Sequence, residues 1–256
     1  WFEIKKECDK QEITFMSTPQ NVGDLNLLME VGIPAIKVGS DDLTNTPLIR
    51  SYANKKLPLI LSSGMSDLAE VYNSVNIAGG FDDNPVSVLL CTSQYPTPPK
   101  EVHLARLNTL KNALPGVEIG FSDHTLGSTI PLAAVSLGAC LIEKHFTLDK
   151  EMEGWDHKVS ATKDEMQAIV EGSERIVKAM GSFRISATEA DEKKREFRRS
   201  VVITRDMIKG DTIKVEDIDY KRPGGNLDPE MTEFIIGRTV NKNLENDHVL
   251  TKEDII

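Results

Sequence analysis

Through residue 181 the apolar positions alternate between two periods. Short runs that are apolar nearly throughout, such as LPLILSS at 57–63 and VSVLLCT at 86–92, read as strands covered on both faces. The pattern predicts six strands: Ile13–Ser17, Ala35–Ser40, Pro58–Ser63, Val86–Thr92, Val117–Ser122 and Cys140–Phe146. Stretches of helical period lie between them, over Val22–Val31, Pro47–Ala53, Asp67–Ala78, Val102–Ala113 and Thr129–Leu137. The clearest helix follows the sixth strand at Lys163–Met180, opened by a Thr162/Glu165 capping box and closed by Gly181.

Strands alternating with helices imply a parallel sheet with right-handed crossovers. Each predicted strand ends in small polar residues, as at Ser17-Thr18, Gly39-Ser40, Ser62-Ser63-Gly64 and Ser122-Asp123-His124. That repeated ending fits the mouth of a TIM-type (β/α) barrel. A closed barrel has eight strands, so the six expected here leave two to be supplied ahead of Trp1. After Gly181 the grammar changes. Residues 182–197 are polar and charged, a linker or exposed helix, and 198–256 form a small, turn-rich β unit. The expected organisation is therefore a barrel domain over 1–181, a linker over 182–197 and a second domain over 198–256.

Charge narrows the choice of partner. A net charge of −10 opposes a nucleic-acid surface, which needs clustered Lys and Arg. No apolar run approaches a membrane span. Cys8, Cys91 and Cys140 are odd in number and far apart, which suggests reduced thiols and a cytoplasmic location.

The chemistry gathers at the strand ends. His124 and His145 close the fifth and sixth predicted strands and should face the same mouth. They suit a divalent metal site that leaves positions for water and a substrate oxygen, or else two hydrogen-bonded rim histidines. Alternation sets Glu143, His145 and Thr147 on one side of the sixth strand and Lys144 on the other, towards the helix layer. Lys37, Gly39 and Ser40, with Thr18, Ser62, Ser63, Gly64 and Ser122, suit a phosphate or carboxylate, although any single Ser or Thr can equally be a helix N-cap. Tyr95 and Asp156 lie in polar loops, where they could bind a polyol or serve as rim packing and a turn cap.

At these residues the chain resembles a known family. STPQN at 17–21, IKVGSDDLTN at 36–45, LSSGM at 61–65, CTSQYPTP at 91–98, GFSDHTLG at 120–127 and EKHFTLDK at 143–150 follow the order of the sialic acid (N-acetylneuraminate and related nonulosonate) synthases. YKRPGGN at 220–226 resembles their antifreeze-like (SAF) domain. The resemblance implies condensation of phosphoenolpyruvate with an N-acylated, mannosamine-type sugar to a nine-carbon acid plus phosphate. It implies that His124 and His145 hold Mn²⁺, with Mg²⁺ or Co²⁺ as alternatives, and that Thr18, Lys37, Ser40 and Ser122 bind phosphoenolpyruvate. Tyr95 and Asp156 would lie on the sugar side, and Arg222 would reach the N-acyl group from the second subunit of a swapped homodimer. Two positions depart from the family pattern: Asp42 stands where many members have glutamate, and Ser93 where others have asparagine. The acidic residue and lysine that the family's first strands contribute have no match here. The alternatives are a related octulosonate- or heptulosonate-type synthase, or a non-catalytic binding or assembly protein.

Overall fold

The computed structural model describes residues 1–224 and 226–256; Gly225, within the YKRPGGN segment, lies outside the described residues. The chain divides into two compact units, 1–181 and 182–256.

The first unit is a partial (β/α) barrel. Its parallel sheet has the order β1 (Ile36–Val38), β2 (Leu59–Ser62), β3 (Val86–Cys91), β4 (Glu118–Asp123) and β5 (Ile142–Lys144). Between the strands run α3 (Thr46–Ala53), α4 (Leu68–Ile77), α5 (Pro99–Val102), α6 (Arg106–Ala113) and α7 (Thr129–Ser136), with α1 (Phe2–Lys10) and α2 (Val22–Val31) before β1 and α8 (Lys163–Met180) after β5. Register sets the two faces of the sheet. Ile36, Val38, Leu59, Leu61, Val88, Leu90, Ile119 and Phe121 all belong to the core against the helices. The intervening positions carry Lys37, Ser62, Cys91, Ser122 and Glu143, of which Cys91↔Ser122 and Ser122↔Glu143 are register partners. The core therefore sits behind the sheet, and the polar groups are collected on its other face.

The five-stranded sheet corrects the expected count of six. Ile13–Ser17 is in neither helix nor strand: Phe15 is buried in the core, but Ile13 and Met16 are exposed and the segment makes no ladder bonds. Its apolar composition serves a single anchoring side chain. The helix expected over Val102–Ala113 is two helices, because His103 has a positive φ of 50° and ends α5. Cys140–Phe146 shortens to Ile142–Lys144, with Cys140 exposed ahead of it and His145 one residue beyond. The helix α1, amphipathic and charged, has no counterpart in the sequence-based expectation. At α8 the capping box forms as expected: Glu165 N–H donates to Thr162 Oγ1 (3.4 Å) and Thr162 N–H to Glu165 Oε2 (2.9 Å).

The second unit begins with the helix α9 (Asp191–Phe197), then pairs β6 (Ser200–Ile203) antiparallel with β7 (Ile218–Lys221). The short helix α10 (Thr232–Ile235) follows. Val201, Ile203, Met207, Ile213, Leu227, Ile235, Val240, Leu244 and Leu250 form its own core. Asp254 is fully buried there, paired with Lys242 (2.6 Å) and His248 (2.8 Å) and bonded by Thr251 N–H (2.8 Å) and Thr251 Oγ1 (2.9 Å). Burial alone would raise its carboxyl, but the bonds from Lys242, His248 and Thr251 outweigh that and bring it down to about 2.

Candidate active site

At the C-terminal ends of β1–β5 lies a cavity of about 400 Å³. Its lining includes Lys37, Ser40, Ser93, Tyr95, Ser122, His124 and His145. With Gly39 and Ser62, nine of the candidate residues singled out from the sequence thus meet around one space. In parallel strands, residues in register face the same side, so the ends of neighbouring strands deliver their side chains to one mouth.

His124 and His145 stand just beyond β4 and β5, their ring centroids 5.2 Å apart. His124 Nδ1 is 2.9 Å from the Thr92 carbonyl oxygen. A carbonyl only accepts, so Nδ1 carries a proton, and in the neutral ring the lone pair is then on Nε2. His145 Nδ1 lies 3.6 Å from Asp156 Oδ2. Burial is the main influence on His145 and pulls its pKa below the usual imidazole value; His124 and Lys144 add to this, while Asp156 and Glu143 oppose it. His145 is therefore neutral at pH 7. The Tyr95 ring lies 4.0 Å from that of His124 and 5.6 Å from that of His145. Its phenol is pushed above the ordinary value, first by burial and then by Cys91, Asp156 and Glu143, so it remains a hydrogen-bond donor.

The anionic side of the cavity is organised by a residue that the sequence reading left unassigned. Glu143 Oε1 accepts a bond from Ser122 Oγ (2.7 Å), and Oε2 is 3.5 Å from Lys37 Nζ. Lys37, buried, also donates to Ser62 Oγ (2.7 Å) and to the Val38 carbonyl (3.1 Å). The signal for Glu143 was present in the alternation that placed it beside His145. Gly64 packs against both hydroxyls of the rim: its N–H donates to Ser40 Oγ (3.0 Å), and a Cβ at 64 would fall 2.3 Å from Ser93 Oγ.

Other expected residues lie elsewhere. Thr18 is exposed and outside the cavity lining, and Asp42 is turned to its own loop, where it accepts a bond from Asn45 Nδ2 (2.9 Å). Asp41, its neighbour, takes the place on the rim. Asp156 reaches the site only through His145. His157 binds Thr147 Oγ1 (2.8 Å), which orders its loop. Arg222, in the second unit, is exposed with its guanidinium over the Phe197 ring at 5.5 Å. Lys144 faces the helix layer, as alternation requires, and bonds to Asp123. A larger cavity of about 530 Å³ beside α4 and α6 shares Met65, Cys91 and Ser93 with the first but holds neither histidine nor Lys37. Among the described residues, no three His, Cys, Asp or Glu side chains converge as a metal cluster, so the two imidazoles are the candidate nitrogen ligands.

Comparison with known proteins identifies the family and the fold. The NeuB family model matches residues 1–184, and the SAF domain model matches 198–256. An N,N'-diacetyllegionaminic acid synthase of Campylobacter jejuni is 36% identical, over 97% of this chain and 75% of that protein. A pseudaminic acid synthase of the same species is 31% identical, over 98% of this chain and 73% of that one. The crystal structure of a sialic acid synthetase from Leptospira borgpetersenii, in complex with citrate, superposes with a TM-score of 0.71 at 34% identity, over 77% of this chain and 68% of that one. Family model, relatives and fold agree: the chain belongs to the NeuB family and carries a SAF domain over 198–256.

Proposed function

We propose that the protein condenses phosphoenolpyruvate with an N-acylated, mannosamine-type sugar, forming a nine-carbon nonulosonate and phosphate. The observation that carries this is the cavity at the strand ends, where two neutral-capable imidazoles face a buried lysine and a set of hydroxyls. In the reaction C3 of phosphoenolpyruvate bonds to the aldehyde carbon of the sugar, water adds at C2, and the bond from C2 to the phosphate oxygen breaks. The N,N'-diacetyllegionaminic acid synthases are 36% identical to this chain and an N-acetylneuraminate-9-phosphate synthase of Drosophila melanogaster 29%, which favours a diacetamido sugar.

Lys37, Ser40 and Ser122 suit the carboxylate and phosphate of phosphoenolpyruvate. Glu143 keeps Lys37 and Ser122 aimed at one point and offsets part of the lysine's charge. Tyr95, protonated, donates from the rim, with Ser93 and, through His145, Asp156 on the sugar side. His124 and His145 suit two positions of Mn²⁺, with Mg²⁺ or Co²⁺ as alternatives: the first has Nδ1 committed to a backbone carbonyl, the arrangement that fixes the tautomer of ligating histidines. A divalent ion bound there supplies Lewis-acid polarisation of the sugar aldehyde. We extend the reading to a cytoplasmic homodimer in which the exposed Arg222 of one copy serves the sugar site of the other.

An octulosonate- or heptulosonate-type synthase is the nearest alternative. Heptulosonate synthases of Thermotoga maritima share the fold at 15–16% identity, and the SAF domain over 198–256 favours the sialic-type reading. The full-length protein, supplied with Mn²⁺, phosphoenolpyruvate and a panel of N-acetylmannosamine, its 6-phosphate and a 6-deoxy diacetamido sugar, is expected to release phosphate and a 2-keto-3-deoxy acid. Silence across the panel would overturn the proposal. His145→Ala is expected to lose Mn²⁺ and turnover together, whereas Arg222→Ala should raise KM with Mn²⁺ binding intact.

A further inference from the structure

Behind the two histidines lies a buried ion pair that the proposed chemistry does not use. Asp123 and Lys144 are register partners on β4 and β5, with side chains 0% and 1% exposed. Lys144 Nζ donates to Asp123 Oδ2 (2.5 Å) and to the Thr125 carbonyl (2.6 Å), and Thr125 N–H donates to Asp123 Oδ1 (2.9 Å). Asp123 and Thr125 are the chain neighbours of His124, and Lys144 immediately precedes His145. The bonds therefore close a ring around the peptide that carries one histidine and attach it to the strand end that carries the other.

Burying two charges is costly, and a shape-matched apolar pair in the same place is often neutral or stabilising. Stability gives no reason for an ion pair here, where the rest of this sheet face is aliphatic and aromatic. Geometry gives one. Directional bonds fix the angle and spacing of two strand ends, which apolar contact does not, and β4 and β5 have only three register pairs of ladder to do so. The Thr92 carbonyl holds the His124 ring from β3, so the ion pair completes the restraint from the opposite side.

We propose that Asp123 and Lys144 are positioning residues that set the relative placement of His124 and His145. The metal-binding consequence rests on the proposed function; the placement itself does not. The test compares the full-length protein with Asp123→Leu/Lys144→Met and, as a polar counterpart, Asp123→Asn/Lys144→Gln. The readouts are melting temperature, imidazole ¹⁵N spectra of metal-free protein, and Mn²⁺ affinity by titration. At least one double variant is expected to melt close to wild type while its His124 and His145 signals shift and Mn²⁺ binds about 10–100-fold more weakly, as for other outer partners of metal ligands. Lys144→Arg should retain most of the affinity. Wild-type imidazole spectra and affinity in a folded double variant would overturn the proposal, and so would failure of both doubles to fold, since the pair would then be needed for the fold itself. Shifted imidazole signals in a protein whose wild type binds no Mn²⁺ would overturn the metal reading alone.

Discussion

Adding a single methyl group to β4 tests how the sheet sets the site. Gly120 lies on the polar face of that strand, in register with Leu89 on β3. A Cβ at this position would fall 2.5 Å from Leu89 Cδ2 and 2.6 Å from the Leu141 carbonyl oxygen. The leucine tip can rotate away, but the carbonyl is backbone and accepts the Phe121 N–H at 2.8 Å, so it retreats only if the start of β5 retreats. Ordinary contact begins at 3.4 Å, so relief takes a shift of about 0.8 Å in the strand that leads to His145. Overpacking of this kind costs about 1–3 kcal/mol, and stretching the Phe121 bond adds up to about 1 kcal/mol. For a unit of this size the sum lowers Tm by roughly 3–10 °C. Gly120→Ala is therefore expected to lower the urea midpoint of the first unit and to speed amide exchange at Phe121. It should also weaken Mn²⁺ binding more than its stability loss accounts for, because a misplacement near 1 Å matters at a reacting centre. Wild-type exchange at Phe121 with an unchanged midpoint would refute this account of why β4 carries a glycine.

Two further outcomes can be checked. Tyr52, fully buried, donates its hydroxyl to the Pro19 carbonyl at 3.2 Å, and its pKa is raised to about 12, first by burial and then by Asp42 and Asp24. Tyr52→Phe should cost about 1 kcal/mol in urea unfolding and loosen the 17–21 segment; a phenylalanine variant with unchanged midpoint would remove that tether from the account. Asp254 titrates near 2 when folded and near 3.8 when unfolded, so its stabilisation is present above about pH 4 and is lost as pH falls through about 2. The loss is on the order of 2 kcal/mol, read as an acid-dependent urea midpoint of the second unit in wild type that flattens over this window in Asp254→Asn; parallel curves would contradict it.

The strand-and-helix order, the two units and the convergence on His124 and His145 were legible in the chain because each rests on local period and local endings. Val22–Val31 and Lys163–Met180 form with the bounds their patterns predict, each opened by a side-chain cap, from Asn21 and Thr162, and closed by a glycine. Ile13–Ser17 differs from its expected strand because apolar composition alone does not distinguish a strand from a loop with one buried anchor; only ladder partners do. The break at His103 was equally hidden, since helical period runs through it and only the positive φ interrupts it. Glu143 went unassigned although its side of the strand was read correctly. Its role depends on where Lys37 and Ser122 end, and those lie on other strands. Asp42 stood on the expected motif, but in space the bond from Asn45 keeps it with its own turn.

The two-sided sheet has a consequence for how such a protein can change. Each strand divides its residues by parity: one set holds the fold together against the helices, and the other turns to the opposite face, where its strand-end members line the cavity. Substitutions in the second set therefore alter which molecule fits while leaving most of the packing free energy untouched. Ser93 is one such position, on the rim with no apolar core contact to lose. A lineage can explore new ligands there by single steps, without first acquiring spare stability. Gly120 marks the limit of that freedom, a position on the same strand face whose side chain is fixed at nothing because the next strand already fills the space.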